Sequence, residues 1–510
     1  MKIAKLLIPA ALAALVPATT SRADDGPRAE VTGGAIEGSY LPGGAAVFRG
    51  IPTARPPVGD LRWREPMPVE PWSGVRQAKK PGPPAVQRHE GWNDAFATAS
   101  SEDCLYVDVW TPSFGRNGRL PVMVWLHGGA NTGGAGGFDP VYDGRAFISR
   151  GVVLVVVEYR LGILGFLAHP ELTRESPHHA SGNYGFMDQI AALRWVRANI
   201  ARFGGDPRNV TLFGQSAGGT DVLALMASPR ARGLFQRAIV ESGMFLPSLI
   251  GSLAEREAQG EAEARSLGAG TDLAALRALS PEQLLKLHTG GRGPITVDGW
   301  VFPRSPLEVW RDHGEAQVPL IIGGNAVEFG ASSREAAESE IAAMFGQSSE
   351  KALVLYGLRG ETREPDPLYG DGLDQWGSDL FRIPCILLGE WHSRAGAPTW
   401  EYELDRAMPP EPRVRHSGDL PYVFGNLLPT GSLPGAYTPA DHALSATIQA
   451  YWTNLARTGD PEGPNVPEWD QFRPAARAYI DFGTDASVSQ RTNERVPFCD
   501  LYRKVLQRAD

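Results

Sequence analysis

A chain of 510 residues, 42% hydrophobic and 21% charged, is globular and long enough to bury an extensive core. Its formal net charge of −9 disfavours nucleic acid and anionic membranes as partners. Its three cysteines, Cys104, Cys385 and Cys499, form no Cys/His cluster with metal-ligand spacing, and neither a metal nor an organic cofactor is expected.

Met1 to Ala23 carries Lys2 and Lys5, an apolar run from Leu6 to Ala18, and then Ser21-Arg22-Ala23. This order of charged, apolar and small residues predicts a secretory signal cleaved after Ala23, with export to the periplasm or beyond. The run is too short for a membrane anchor and contains Pro9 and Pro17. Losing Lys2, Lys5 and Arg22 would take the formal charge from −9 to −12. An odd cysteine count in an exported chain leaves at least one thiol unbridged. No other segment is long and apolar enough to span a bilayer, and residues 24–510, free of repeats and linkers, are expected to form one domain.

Two apolar runs, Pro121 to Leu126 and Val152 to Tyr159, predict strands buried on both faces. Asp188 to Arg202 has apolar residues at helical spacing and stops at Gly204-Gly205. A strand over Val210 to Phe213, a helix over Ala217 to Ala227 and a strand near Ala238 to Val240 follow. Leu320 to Ile322 and Trp400 to Leu404 read as later strands. Such alternation predicts an α/β fold, a large and mainly parallel sheet covered by helices. The helical stretches 252–287 and 334–356 would cap it.

Within this frame T-L-F-G-Q-S-A-G-G, from Thr211 to Gly219, puts Ser216 in a G-x-S-x-G motif between a strand and a helix. A serine on that sharp turn exposes its hydroxyl above a helix N-terminus. Partners for a nucleophile follow in order. His127-Gly128-Gly129-Ala130-Asn131 comes directly after a strand, where backbone amides can form an oxyanion hole. Glu328 lies on a loop beyond the Leu320 strand, and His416 on a loop after the Trp400 strand. Ser, Glu, His is the chain order of an α/β-hydrolase triad. His127 is expected to support the oxyanion loop and not to act as base. His392, His442, His178 and His179 have no motif context and are expected at the surface. Trp300 is a candidate pocket wall.

Several longer blocks run in the same order over the whole mature sequence: Phe48 to Trp63 (F-R-G-I-P-T-A-R-P-P-V-G-D-L-R-W), Ser101 to Val109 (S-E-D-C-L-Y-V-D-V), Tyr159 to Leu167, Phe203 to Thr211, and Tyr451 to Pro461. On these blocks the chain resembles the carboxylesterase/cholinesterase family (type B carboxylesterases and lipases). The resemblance implies an α/β-hydrolase fold with helical cap insertions and ester hydrolysis through an acyl-enzyme on Ser216. It implies His416 as general base and acid, Glu328 as its orienting group, and Gly129, Ala130 and Ala217 as oxyanion donors. It further implies an Arg62–Glu102 ion pair and a Cys385–Cys499 disulfide, whose long loop would be worth up to about 5 kcal/mol. The expected partner is a small-molecule ester; nothing in the sequence sets the substrate or the oligomeric state.

Departures from the family are informative. Ala85 stands where the family has the cysteine that pairs with the position of Cys104, so Cys104 is expected to be a free, buried thiol. Gln215 stands where most members have glutamate, which should weaken any preference for cationic esters. Ala130-Asn131 replaces a commoner Gly-Phe, and Glu158 replaces an asparagine. Two other readings compete: a lipase for long-chain esters, and a catalytically inactive adhesion module, which the intact Ser216, Glu328 and His416 argue against.

Overall fold

The computed structural model describes residues 26–115, 118–287, 293–360, 364–407, 411–427, 437–493 and 495–507. The expected signal, Met1 to Ala23, lies outside these residues. Among the described residues, eleven strands build the main sheet: β1 (Ser39–Tyr40), β2 (Ala46–Pro52), β3 (Tyr106–Thr111), β4 (Leu120–Leu126), β5 (Val153–Val157), β6 (Gly205–Gln215), β7 (Arg237–Glu241), β8 (Leu320–Asn325), β9 (Thr399–Leu404), β10 (Ala478–Phe482) and β11 (Val488–Thr492). Their order across the sheet is β11-β10-β9-β8-β7-β6-β4-β5-β3-β2-β1. The seven strands from β10 to β5 in this order pair in parallel, and antiparallel strands close both edges.

The apolar runs work as their composition requires. Val122, Val124 and Leu126 face one core, and Met123 and Trp125 the other. Val153, Val155 and Val157 alternate in the same way with Leu154 and Val156. Each such side chain contributes about 1.5–3 kcal/mol of burial, which only a sheet covered on both faces can collect. Helices supply the cover: α1 (Tyr184–Asn199), α2 (Ala217–Ala227), α3 (Leu253–Ser266), α4 (Arg334–Phe345), α5 (Gly372–Arg394), α6 (Pro439–Thr458) and α7 (Val496–Gln507). Among the described residues, no helix is long and apolar enough to cross a membrane.

The cap insertions are tied down by a buried charge. Arg62 donates from Nε to Glu102 Oε2 at 2.7 Å, and from Nη1 to the carbonyls of Arg277 (3.0 Å) and Leu279 (2.7 Å). The ion pair expected from the resemblance therefore also anchors the capping segment. The expected disulfide is not formed: Cys104, Cys385 and Cys499 are all free and buried. The reason at Cys385 is local, because its thiol points from α5 toward the turn after β7 and donates to Gly243 O at 3.2 Å.

Candidate active site

Parallel strands deliver their C-terminal ends to one edge of a sheet, and ligands bind in the crevice beyond those ends. Here β4 ends at the His127 loop, β6 at Ser216, β7 at Ser242 and β8 at the Glu328 loop, while the chain leaving β9 reaches His416. Residues far apart in sequence thus meet because sheet order places these strands side by side.

Ser216 separates β6 from α2 with φ 57° and ψ −122°, a conformation that L-residues rarely adopt. Its amide donates to Glu241 O at 2.8 Å, and its carbonyl accepts from Thr220 N at 2.9 Å. The glycines of the motif are steric necessities: a Cβ on Gly218 would lie 2.1 Å from Leu126 O. The oxyanion-loop candidate lies against the serine, since a Cβ on Gly128 would lie 3.0 Å from Ser216 Cβ. Ala130 (φ 55°) and Asn131 (φ 57°) are both left-handed, which turns the loop back toward the serine. Among the described residues, the amides of Gly129, Ala130 and Ala217 donate to no other group of the chain. Asn131 itself points inward: it is 1% exposed and donates to Asp221 Oδ1 at 2.9 Å. Gln189 donates to the other oxygen of Asp221 at 2.6 Å, and burial pushes the Asp221 carboxyl up to about 7 against these two donors.

His416 and Glu328 meet at 2.6 Å through Nδ1 and Oε2. Glu328 is buried, and its Oε1 accepts from Ser242 Oγ (2.6 Å) and Asn325 N (2.8 Å), while Asn325 Nδ2 reaches Oε2 at 3.3 Å. Such donors stabilise a carboxylate held away from water. The His416 ring is flanked by Phe329, 4.3 Å between centroids, and Phe381, 4.9 Å. Gln215 is buried, with its amide nitrogen 3.4 Å from His416 Nε2. With Nδ1 on the Glu328 carboxylate, Nε2 is left as the ring nitrogen able to accept a proton.

The sequence reading of other residues is corrected in two places. His392 is not at the surface: it is fully buried, with Nδ1 2.7 Å from Glu315 and Nε2 2.8 Å from Val318 O. Trp300 does not stand open as a pocket wall, because Arg230 covers one side of its ring (3.1 Å) and His178 stacks at 3.4 Å. His127 is buried and stacked on Tyr159, with its Nδ1 2.8 Å from Gly128 O. Burial pushes its imidazole down to about 4, in keeping with support and not proton transfer. Ser242, Asn325, Phe329 and Phe381 escaped the sequence reading, since nothing local marks a serine after β7 as a partner of Glu328.

Comparisons with known proteins give the family. The model of the carboxylesterase family matches residues 25–499. The chain is 36% identical over 468 residues to fumonisin B1 esterase of Sphingopyxis macrogoltabida, covering 86% of this chain and 83% of that protein. It is 34% identical to liver carboxylesterase of Sus scrofa, covering 91% and 89%. Among solved structures, carboxylesterase EST55 of Geobacillus stearothermophilus superposes with a TM-score of 0.80 at 30% identity, covering 93% of this chain and 100% of that one. A PNB esterase gives a TM-score of 0.78 at 32% identity, covering 94% and 99%.

Proposed function

The chain belongs to the carboxylesterase family and hydrolyses carboxylic esters, and from that premise we propose that Ser216 is its nucleophile, His416 its general base and acid, and Glu328 the group that orients His416. The observation that carries the assignment is the 2.6 Å contact of His416 Nδ1 with Glu328, with His416 Nε2 3.4 Å from Gln215, the residue that precedes Ser216 at the strand-to-helix turn. His416 Nε2 takes the Ser216 proton as Oγ attacks the ester carbonyl. The carbonyl oxygen becomes an oxyanion received by the amides of Gly129, Ala130 and Ala217, worth several kcal/mol of barrier lowering. As the tetrahedral intermediate collapses, the C–O bond to the alcohol breaks and His416 protonates the leaving oxygen. Water then attacks the acyl-enzyme, giving a proton to His416, which returns it to Ser216 Oγ as the acid departs.

The exposed aromatic side chains of Phe329, against His416, and of Trp92, against Gly133 in the loop after β4, fit esters with an apolar, uncharged alcohol or acyl part. A neutral Gln215 beside His416 supports the same preference. The charged, apolar and small-residue order of Met1 to Ala23 supports export.

Ser216→Ala is expected to abolish ester hydrolysis while leaving the fold intact by circular dichroism. An organophosphate is expected to label the wild-type protein once, on the peptide carrying Ser216. Hydrolysis retained by Ser216→Ala, or labelling of a different residue, would overturn the assignment.

A further inference from the structure

Behind the oxyanion-loop candidate lies a polar pair that the mechanism above leaves unused. Leu126 and Val157 are register partners on β4 and β5, so the sheet sets the next residues, His127 and Glu158, side by side. Their side chains are 0% and 3% exposed. His127 Nδ1 lies 2.8 Å from the Gly128 carbonyl, an acceptor, and therefore carries the ring's hydrogen. That leaves Nε2 as a bare lone pair, facing Glu158 Oε2 at 3.9 Å, and among the described residues neither atom has another partner. The other carboxyl oxygen, Oε1, accepts from Gly136 N at 2.7 Å. Two lone pairs facing each other in a site buried from solvent are costly, and a proton on Oε2 resolves both once the gap closes to about 2.8 Å.

His127 opens the loop that carries Gly129 and Ala130, and Gly136 lies at its far end, so this pair spans the loop. We propose that Glu158 is a positioning residue: as a neutral carboxylic acid it offers a proton to His127 Nε2, holds the Gly136 amide, and so fixes the loop that presents the Gly129 and Ala130 amides. The surroundings favour the neutral acid. Burial pushes the Glu158 carboxyl well up, Asp108 pushes the same way, and the amides of Gly136, Phe138 and Gly137 oppose them. Asp108 is itself paired with Arg49 at 2.7 Å, and the remaining titratable neighbours, Tyr142, Tyr159 and Cys104, are held neutral by burial. Burial also drives His127 toward the neutral form. A protonated carboxyl presents a donor on one oxygen and an acceptor on the other, and a carboxamide of the same shape likewise puts a donor (its NH2, with a second N–H besides) beside an acceptor.

This inference rests on the oxyanion-loop reading, and glutamine provides its test. Glu158→Gln is expected to keep kcat within about twofold of wild type, whereas Glu158→Ala is expected to lose kcat about tenfold or more with a smaller change in KM, the signature of misplaced transition-state donors. The difference infrared spectrum of wild type minus Glu158→Gln at neutral pH should contain the carbonyl stretch of a protonated carboxylic acid. A glutamine variant as impaired as the alanine variant, or a difference spectrum with only carboxylate bands, overturns the proposal. If Glu158→Ala does not fold, the glutamine variant and the infrared band decide alone. Wild-type labelling by an organophosphate serves as the control: its failure would sink the Ser216 reading, whereas a labelled wild type with an impaired glutamine variant sinks only the role of Glu158.

Discussion

Gln215 precedes the elbow serine and is 1% exposed, with its amide directed at His416 rather than at open solvent. A negative charge there would act through a poorly screened medium on both the imidazole and a bound cation. At about 7 Å and an effective dielectric of about 20, such an attraction is about 2 kcal/mol as an upper bound. Gln215→Glu is therefore expected to raise kcat/KM for a quaternary-ammonium ester, relative to its neutral isostere, by about tenfold. An unchanged ratio would detach Gln215 from substrate charge preference. The residues flanking the triad candidates teach a related lesson. Ser216, Glu328 and His416 were legible because each sits in a recognisable context, while Ser242 and Phe381 were not, because their roles exist only through contacts across strands.

The strand-to-helix turn is tightly packed. A side chain at Gly218 would collide with the Leu126 carbonyl, which belongs to β4 and cannot yield without dragging the His127–Asn131 loop that follows it. Gly218→Ala is expected to cost about 1–3 kcal/mol or more in urea unfolding, and to lower kcat far more than an equally destabilising substitution elsewhere. Stability lost with kcat preserved would mean that the turn tolerates displacement. The central strands were legible as continuous apolar runs, and α2 as a helix beginning at small residues. The 23-residue α5 was not read, because Pro384 interrupts its helical pattern and buried residues surround it on nearly every side.

For the molecule as a whole, the cysteines separate resemblance from packing. The family pattern implied a bridge between Cys385 and Cys499, yet both thiols are free in the core, and burial pushes the Cys499 thiol up to about 12. A buried thiol of this kind is inert until the chain opens. Three thiols per chain should titrate in denaturant without reductant, and reductant should leave the thermal midpoint unchanged. A count of one would restore the bridge. By itself the sequence determined the fold class, the ester chemistry and the order in which the candidates for nucleophile, acid and base occur, because each rests on a local pattern: apolar runs, a glycine-flanked serine, and loops that follow strands. Only the tertiary structure decided how those loops are held: Ser242 and Asn325 on Glu328, Gln215 against His416, Asn131 turned inward to Asp221, and Glu158 facing His127. Such contacts follow from strand order and register, which bring residues dozens to hundreds of positions apart within hydrogen-bond reach and leave no periodicity in the chain to announce them.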